Sequence, residues 1–149
     1  MSSKKRNQRE IQFLEKTLYP ILEAMSPNIT DLKYRHGNME FGKDFTFSYT
    51  NPLNQRINVG IQAKWGNVTG RAAEVNAITS QVYLAFTVPY RNKPNDPHFF
   101  VNELYIVCSG RFTNNAIEAI TRALEQKYNV FPSRLRYQAT RNAHGVDSP

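Results

Sequence analysis

Residues 43–65 read KDFTFSYTNPLNQRINVGIQAKW, and this stretch decides the fold. Aromatic and hydroxyl residues alternate over 45–50, and apolar and polar residues alternate over 56–65. This two-residue period is typical of β-strands. Between the two segments, the residues NPLN at 51–54 have the composition of a turn. The stretch therefore predicts an antiparallel hairpin.

Three side chains of this hairpin are candidates for a shared chemical role. Gln62 and Lys64 are two residues apart in the sequence, so they project from the same face of the second strand. In a hairpin that turns at 51–54, the numbers of paired positions sum to about 105. That register puts Asp44 near position 61, next to Gln62. We therefore expect the three side chains to lie within reach of one another.

This trio suits metal-assisted phosphodiester hydrolysis. The Asp44 carboxylate, the Gln62 side-chain carbonyl and the backbone carbonyl of Ala63 are oxygen ligands of the kind that Mg²⁺ binds. The ion would act as a Lewis acid and generate the nucleophile. A lysine beside it, here Lys64, would lower the pKa of the attacking water or stabilise negative charge on the phosphorane.

The segment before the hairpin offers a different interpretation. Residues 37–44, GNMEFGKD, come within one residue of the phosphate-binding loop G-x-x-x-x-G-K-[ST]. That loop needs a hydroxyl side chain in its last position to hold Mg²⁺, and a following helix whose N–H groups bind the phosphates. Here Asp44 takes the last position and a strand follows. The pattern therefore argues against a nucleotide site.

The rest of the chain predicts a mixed α/β sheet with helices on both faces. Residues 7–25 have the apolar spacing of a helix, which Pro20 should kink or split. Further helices are predicted at 72–86 and 114–128, and further strands at 99–108, near 135–137 and, upstream of the hairpin, at 32–35. We predict one domain over residues 1–141, followed by a disordered tail at 142–149.

Charge and cysteine content indicate the class of partner and the compartment. The formal net charge is +7 over 149 residues, which suits a polyanion such as nucleic acid. A single cysteine, Cys108, excludes an internal disulfide and fits a cytoplasmic location. No apolar run is long enough to span a bilayer.

We expect sequence-independent phosphate contacts from the cations around the proposed site, which are Lys43, Arg56, Lys64, Arg71 and Arg111.

Four segments in order resemble the restriction-endonuclease-like nuclease superfamily. Gly42-Lys43-Asp44 and Gln62-Ala63-Lys64 are closest to its Mrr-type branch, in which Gln commonly replaces the acid of the (D/E)-x-K motif. Residues 14–26, LEKTLYPILEAMS, match the first helix of the family, with Glu15 at its acid position. Residues 105–120, YIVCSGRFTNNAIEAI, are similar to the strand, turn and helix that follow the family's motif. The resemblance covers most of the chain.

The resemblance implies a restriction-endonuclease-like core of the order αβββαβ and a Mg²⁺- or Mn²⁺-dependent endonuclease acting on double-stranded DNA. Asp44 and Gln62 would ligate the metal together with the Ala63 carbonyl, and Lys64 would assist the attacking water. Glu15 would orient water or bind a second metal. Gln62 departs from the usual acid, which weakens metal binding unless Glu15 compensates.

Residues 42–53, GKDFTFSYTNPL, and 56–66, RINVGIQAKWG, are also similar to nuclease domains fused to large NTPases of bacterial antiphage defence. This similarity implies a homo-oligomer, or an associated regulatory NTPase module. Two alternatives remain. One is a Holliday-junction resolvase, which shares the fold and would act as a dimer. The other is a catalytically inactive nucleic-acid-binding module, in which Gln62 marks decay of the metal site.

Overall fold

The computed structural model describes residues 3–36 and 41–140. Within these residues the chain forms a five-stranded sheet in the order β1-β2-β3-β4-β5. The strands are β1 (Thr30–Tyr34), β2 (Phe45–Thr50), β3 (Arg56–Lys64), β4 (Glu103–Cys108) and β5 (Leu135–Ala139). The pairs β1/β2 and β2/β3 are antiparallel, whereas β3/β4 and β4/β5 are parallel. The sheet is therefore mixed, as predicted.

The hairpin of β2 and β3 forms where the alternation predicts it. Phe45 lies opposite Ile61, and Asp44, just before β2, donates its backbone N–H to the Ile61 carbonyl at 2.7 Å. The paired residue numbers sum to 106 rather than about 105, so the register differs by one residue from the expected one, and the ladder extended by one pair leads from Asp44 to Gln62. The Asn51 side chain accepts hydrogen bonds from the Leu53 and Gln55 N–H groups, which holds the turn.

The N-terminal helical region contains a wide turn. It comprises α1 (Ser3–Gln12), a π-helical segment (Phe13–Leu18) and α2 (Tyr19–Glu23). Pro20, expected to kink or split the helix, lies in the first turn of α2. Proline has no N–H to donate to the preceding turn. This missing donor accounts for the π-helical segment immediately before α2.

The remaining predicted elements are present with small changes in their bounds. Helices α3 (Ala72–Thr87) and α4 (Asn114–Tyr128) form as their apolar spacing predicts. The strand expected at 99–108 begins only at Glu103, because Phe99 makes an isolated bridge to Tyr90 instead. A 3-10 turn (Pro132–Arg134) leads into β5. The predicted tail at 142–149 lies outside the described residues.

The two faces of the sheet carry separate cores. One face packs against the N-terminal helical region through residues that include Leu14, Phe45 and Ile61. The other packs against α3 and α4 through residues that include Ile78, Ile106 and Ile120. Helices thus cover both faces. Among the described residues, no helix has the length and apolar character needed to cross a membrane.

Strand periodicity assigns Gln62 and Lys64 to the α3 face. Gln62 is paired with Ile106, and Lys64 with Cys108, and both partners belong to the core under α3 and α4. Paired residues project from the same face of a sheet. Their neighbours Ile61 and Ala63 face the N-terminal helices instead.

Candidate functional site

The Asp44 carboxylate is held by two hydrogen bonds. Its Oδ2 accepts one from the backbone N–H of Ala63 at 2.8 Å, and its Oδ1 lies 3.0 Å from Nδ1 of His36. The side chain is buried, with 5 % of the residue exposed. Each carboxylate oxygen has a second lone-pair site, so both can accept one more ligand. The carboxylate is therefore fixed in orientation and still able to bind a cation.

Sequence reasoning missed His36, because it lies in a loop without the spacing of a metal-binding histidine. Its ring stacks on Tyr34 at the end of β1, with centroids 6.2 Å apart and an angle of 7° between the planes. Strand β1 pairs with β2, which begins directly after Asp44. Because β1 and β2 are neighbours, residues just after β1 lie close to the start of β2, and His36 is one of them. A predicted pairing of β1 with β2 would therefore have indicated His36.

Gln62 has an unusual environment for an amide. The residue is 3 % exposed, and its Oε1 is buried with no hydrogen-bond partner among the described residues. Burying a carbonyl oxygen without a donor costs free energy, so such an atom calls for a water, an ion or a ligand. Gln62 and Asp44 line the same cleft.

The Ala63 carbonyl faces the same side as Asp44. In a strand, the N–H and C=O groups of one residue point towards the same neighbouring strand. The Ala63 N–H donates to Asp44, so its carbonyl points there too. The antiparallel ladder of β2 and β3 ends at the pair of Phe45 and Ile61, so the Ala63 carbonyl lies beyond the last paired residues.

A cleft of about 330 Å³ joins these groups to Lys64. Lys64 is half-buried, and its ammonium makes no hydrogen bond or ion pair with the described residues. Helix α3 forms one wall through Ala77, Ser80 and Gln81. The loop before Asp44 packs tightly on this helix: Gly42 has a φ of +79°, and a β-carbon there would collide with the Gln81 carbonyl oxygen.

Glu15 does not lie with the predicted site residues. It is exposed, it accepts a hydrogen bond from the Tyr34 hydroxyl at 3.3 Å, and it is absent from the cleft lining. The acid that the N-terminal helix brings to the cleft is Glu10. Glu10 precedes the buried Leu14 by four residues, so the two share a helix face that Glu15 does not share.

Lys43 is not placed to bind a nucleic acid, contrary to the sequence-based expectation. The residue is 1 % exposed, and its ammonium donates to the Phe41 and Val88 carbonyls at 3.2 and 3.0 Å. Burial, with a smaller contribution from the nearby Arg35, lowers the pKa of Lys43 to about 8. Its amine thus serves to tie the loop before Asp44 to the end of α3.

The other three predicted cations divide into two groups. Arg56 lies at the opposite end of β3, six residues or about 20 Å from Gln62, where it pairs with Asp31 at 3.3 Å. Arg71 lines a groove that adjoins the cleft and shares Lys64 with it. Arg111 is exposed, and its backbone N–H donates to Asn67 near that groove. Arg71 and Arg111 therefore flank the cleft, whereas Arg56 does not.

The donor set fits a hard cation. Within residues 3–36 and 41–140, no group of three or more His, Cys, Asp or Glu residues could hold a metal ion. The oxygen ligands at the end of the hairpin are instead the Asp44 carboxylate and the carbonyl oxygens of Gln62 and Ala63, and Glu10 lines the same cleft. Oxygen ligands of this kind suit Mg²⁺ and Mn²⁺. The unpartnered Oε1 of Gln62 is the observation that supports the fit.

Comparisons of the chain with protein-family models, curated proteins and solved structures found no match.

Proposed function

We propose that this protein is a metal-dependent DNA endonuclease that hydrolyses phosphodiester bonds. The observation that carries the proposal is the buried, unpartnered Oε1 of Gln62 in one cleft with the fixed carboxylate of Asp44 and the unpaired ammonium of Lys64. A buried carbonyl oxygen without a donor loses free energy, so Oε1 of Gln62 is better explained as a ligand-binding atom than as a structural one.

Metal binding, charge stabilisation and phosphate binding are assigned to different residues of the cleft. Asp44, Gln62 and the Ala63 carbonyl would hold Mg²⁺ or Mn²⁺, which when bound supplies Lewis acidity and an activated water. Lys64 projects from the same face as Gln62, so its ammonium can donate hydrogen bonds to the phosphate oxygens whose negative charge grows during attack. Arg71 and Arg111, which flank the cleft, would bind neighbouring phosphates and align the strand.

The order of elements supports a restriction-endonuclease-like core. A helical region is followed by β1, β2 and β3, then by α3 and β4, which corresponds to αβββαβ, with α4 and β5 added. The candidate site lies at the end of the hairpin, where β2 begins and β3 ends. The resemblance of the sequence alone supports the remaining parts of the proposal, namely double-stranded DNA, a role in bacterial restriction or antiphage defence, a cytoplasmic location, and assembly as an oligomer or with an NTPase module.

A cleavage assay tests the proposal. Supercoiled plasmid, a four-way junction and an RNA of similar length are incubated with the protein in Mg²⁺, Mn²⁺ or EDTA. We expect plasmid cleavage in Mg²⁺ or Mn²⁺, none in EDTA, and none by Asp44→Asn or Lys64→Ala. The matched control is Arg56→Ala, a cation on the same strand that lies away from the cleft, which should cleave normally.

The alternatives predict different results in the same assay. Preferential cutting of the four-way junction would identify a resolvase. Metal-independent binding without cleavage of any substrate would identify an inactive binding module. Full activity of folded Lys64→Ala would contradict the proposed site.

A further inference from the structure

A second groove continues from the cleft past the carboxyl end of β3. It has a volume of about 690 Å³ and shares Glu10, Lys64 and Ala77 with the cleft. Its other lining residues include Trp65 and Arg71. Since the cleft and the groove share three residues, a polymer bound at the cleft would continue directly into the groove.

Trp65 is an exposed aromatic side chain with a fixed anchor. It is 41 % exposed, although large aromatic side chains gain considerable free energy from burial. The ring makes an edge contact with the buried Phe13, with centroids 6.1 Å apart and an angle of 62° between the planes. This contact restricts the indole orientation while leaving much of its surface open to the groove.

Two cations that can bind phosphates lie beside Trp65 in the groove. Lys64 precedes it directly, and Arg71 lies on the same groove. The groove also contains two acids, Glu10 and Glu74, and Oε1 of Glu74 accepts hydrogen bonds from the Thr69 and Gly70 N–H groups at 2.7 and 2.9 Å. Lys64 and Arg71 can bind phosphates while Trp65 presents an aromatic face, and proteins bind single-stranded nucleic acid through this combination of cations and stacking rings.

We propose that Trp65 stacks on an unpaired nucleobase of the strand that enters the Asp44–Gln62–Lys64 cleft. The inference rests on the proposed nucleic-acid substrate and makes it more specific. Inside a duplex both faces of each base are covered by its neighbours, so only an unpaired base can offer a face to the indole. The favoured substrate therefore carries unpaired nucleotides next to the scissile phosphate, as in a single strand, a flap or a frayed end.

Intrinsic fluorescence tests the stacking directly, because Trp65 is the single tryptophan of the chain. The probes are a thymidine oligonucleotide of about ten nucleotides and an abasic phosphodiester of equal length, both in EDTA so that no cleavage occurs. We expect the thymidine probe to quench Trp65 emission and the abasic probe to leave it nearly unchanged. The thymidine probe should also bind roughly 5- to 100-fold more tightly.

Three variants separate stacking from folding, with binding measured by the anisotropy of end-labelled probes. Trp65→Phe keeps an aromatic face and should retain part of the preference for bases. Trp65→Leu keeps an apolar contact for Phe13 and should bind both probes with the affinity of the abasic one. Phe131→Leu removes an aromatic that is 62 % exposed before β5, far from the groove, and should behave as the unsubstituted protein.

The outcomes distinguish this inference from the endonuclease proposal. Equal quenching or equal affinity for the two probes, or binding of neither, would overturn the stacking role even if the protein cleaves plasmid. Base-dependent quenching that is lost in Trp65→Leu would support it even if no metal ion gives cleavage, in which case the endonuclease proposal alone fails.

Discussion

The Asp44 carboxylate accepts a 2.8 Å hydrogen bond from the backbone N–H of Ala63, so the acid before one hairpin strand is tied to the other strand beside Gln62. The donor is a main-chain group in a sheet, which makes the geometry rigid before any ligand binds. Sites built on regular elements in this way hold their ligands more precisely than sites on loops.

The Gln62 amide should lower the free energy of unfolding while providing a ligand for the metal ion. Gln62→Leu replaces an unpartnered buried oxygen by an apolar group of similar size, so we expect the free energy of unfolding to rise by about 1 kcal/mol. The same change should abolish Mn²⁺ binding. Urea denaturation measures the first effect, and isothermal titration calorimetry the second.

The matched variant for this prediction is Gln62→Glu. It should bind Mn²⁺ more tightly, because a second carboxylate adds charge to the site, and it should unfold more easily without metal, because that charge faces Asp44. A loss of more than about 2 kcal/mol in Gln62→Leu would indicate a structural role for the amide instead.

His36 should position Asp44. Its Nδ1 is 3.0 Å from Asp44 Oδ1, so His36→Ala releases one oxygen of the carboxylate. Removing a partner that orients a metal ligand typically lowers metal affinity by about 10- to 100-fold. We expect that loss in Mn²⁺ calorimetry with little change in Tm. His36→Asn restores a short polar side chain and should recover part of the affinity, whereas the exposed His98 can be changed to Ala without effect.

The cations near the cleft should dominate binding to nucleic acid. Arg71→Ala should weaken duplex and single-strand binding alike and reduce the slope of log K against log salt by about one. Arg56→Ala should change neither quantity, because Arg56 lies at the other end of β3. Lys43→Met should also leave affinity unchanged, since Lys43 is buried. Anisotropy titrations at several salt concentrations measure all three, and an equal effect of Arg56→Ala would contradict the assigned footprint.

Cys108 should make stability fall at high pH. Burial raises the pKa of this thiol from 9.0 to about 11. Between pH 9 and 11 the unfolded chain loses the proton while the folded chain keeps it, so the folded state binds more protons and its stability falls as pH rises. Two pKa units correspond to about 3 kcal/mol.

The measurement compares the protein with Cys108→Ala. The difference between their free energies of unfolding should be constant below pH 9 and should then shrink through pH 11. Subtracting the variant removes the titration of lysines and tyrosines, and the cavity left by the substitution adds only a constant offset. A difference that stays flat across this range would show that the thiol titrates normally in the folded state.

Local periodicity predicted the elements well, because each depends on residues close in sequence. The alternation over 43–65 identified the hairpin, and apolar spacing identified α3 and α4. The short turn predicted the register to within one residue, since Phe45 rather than Asp44 is paired with Ile61. Errors occurred where packing between distant segments decides, as at Glu15 and Lys43.

The sequence by itself determined which residues of β3 share a face, because a strand has a strict period of two. It thereby brought Gln62 and Lys64 to one side of the sheet. Only the tertiary structure decided that Glu10 rather than Glu15 reaches the cleft, that His36 holds Asp44, and that Lys43 is buried. Those placements depend on how the N-terminal helix, β1 and α3 pack around the hairpin, and contacts between segments far apart in the chain leave no periodic pattern in the sequence.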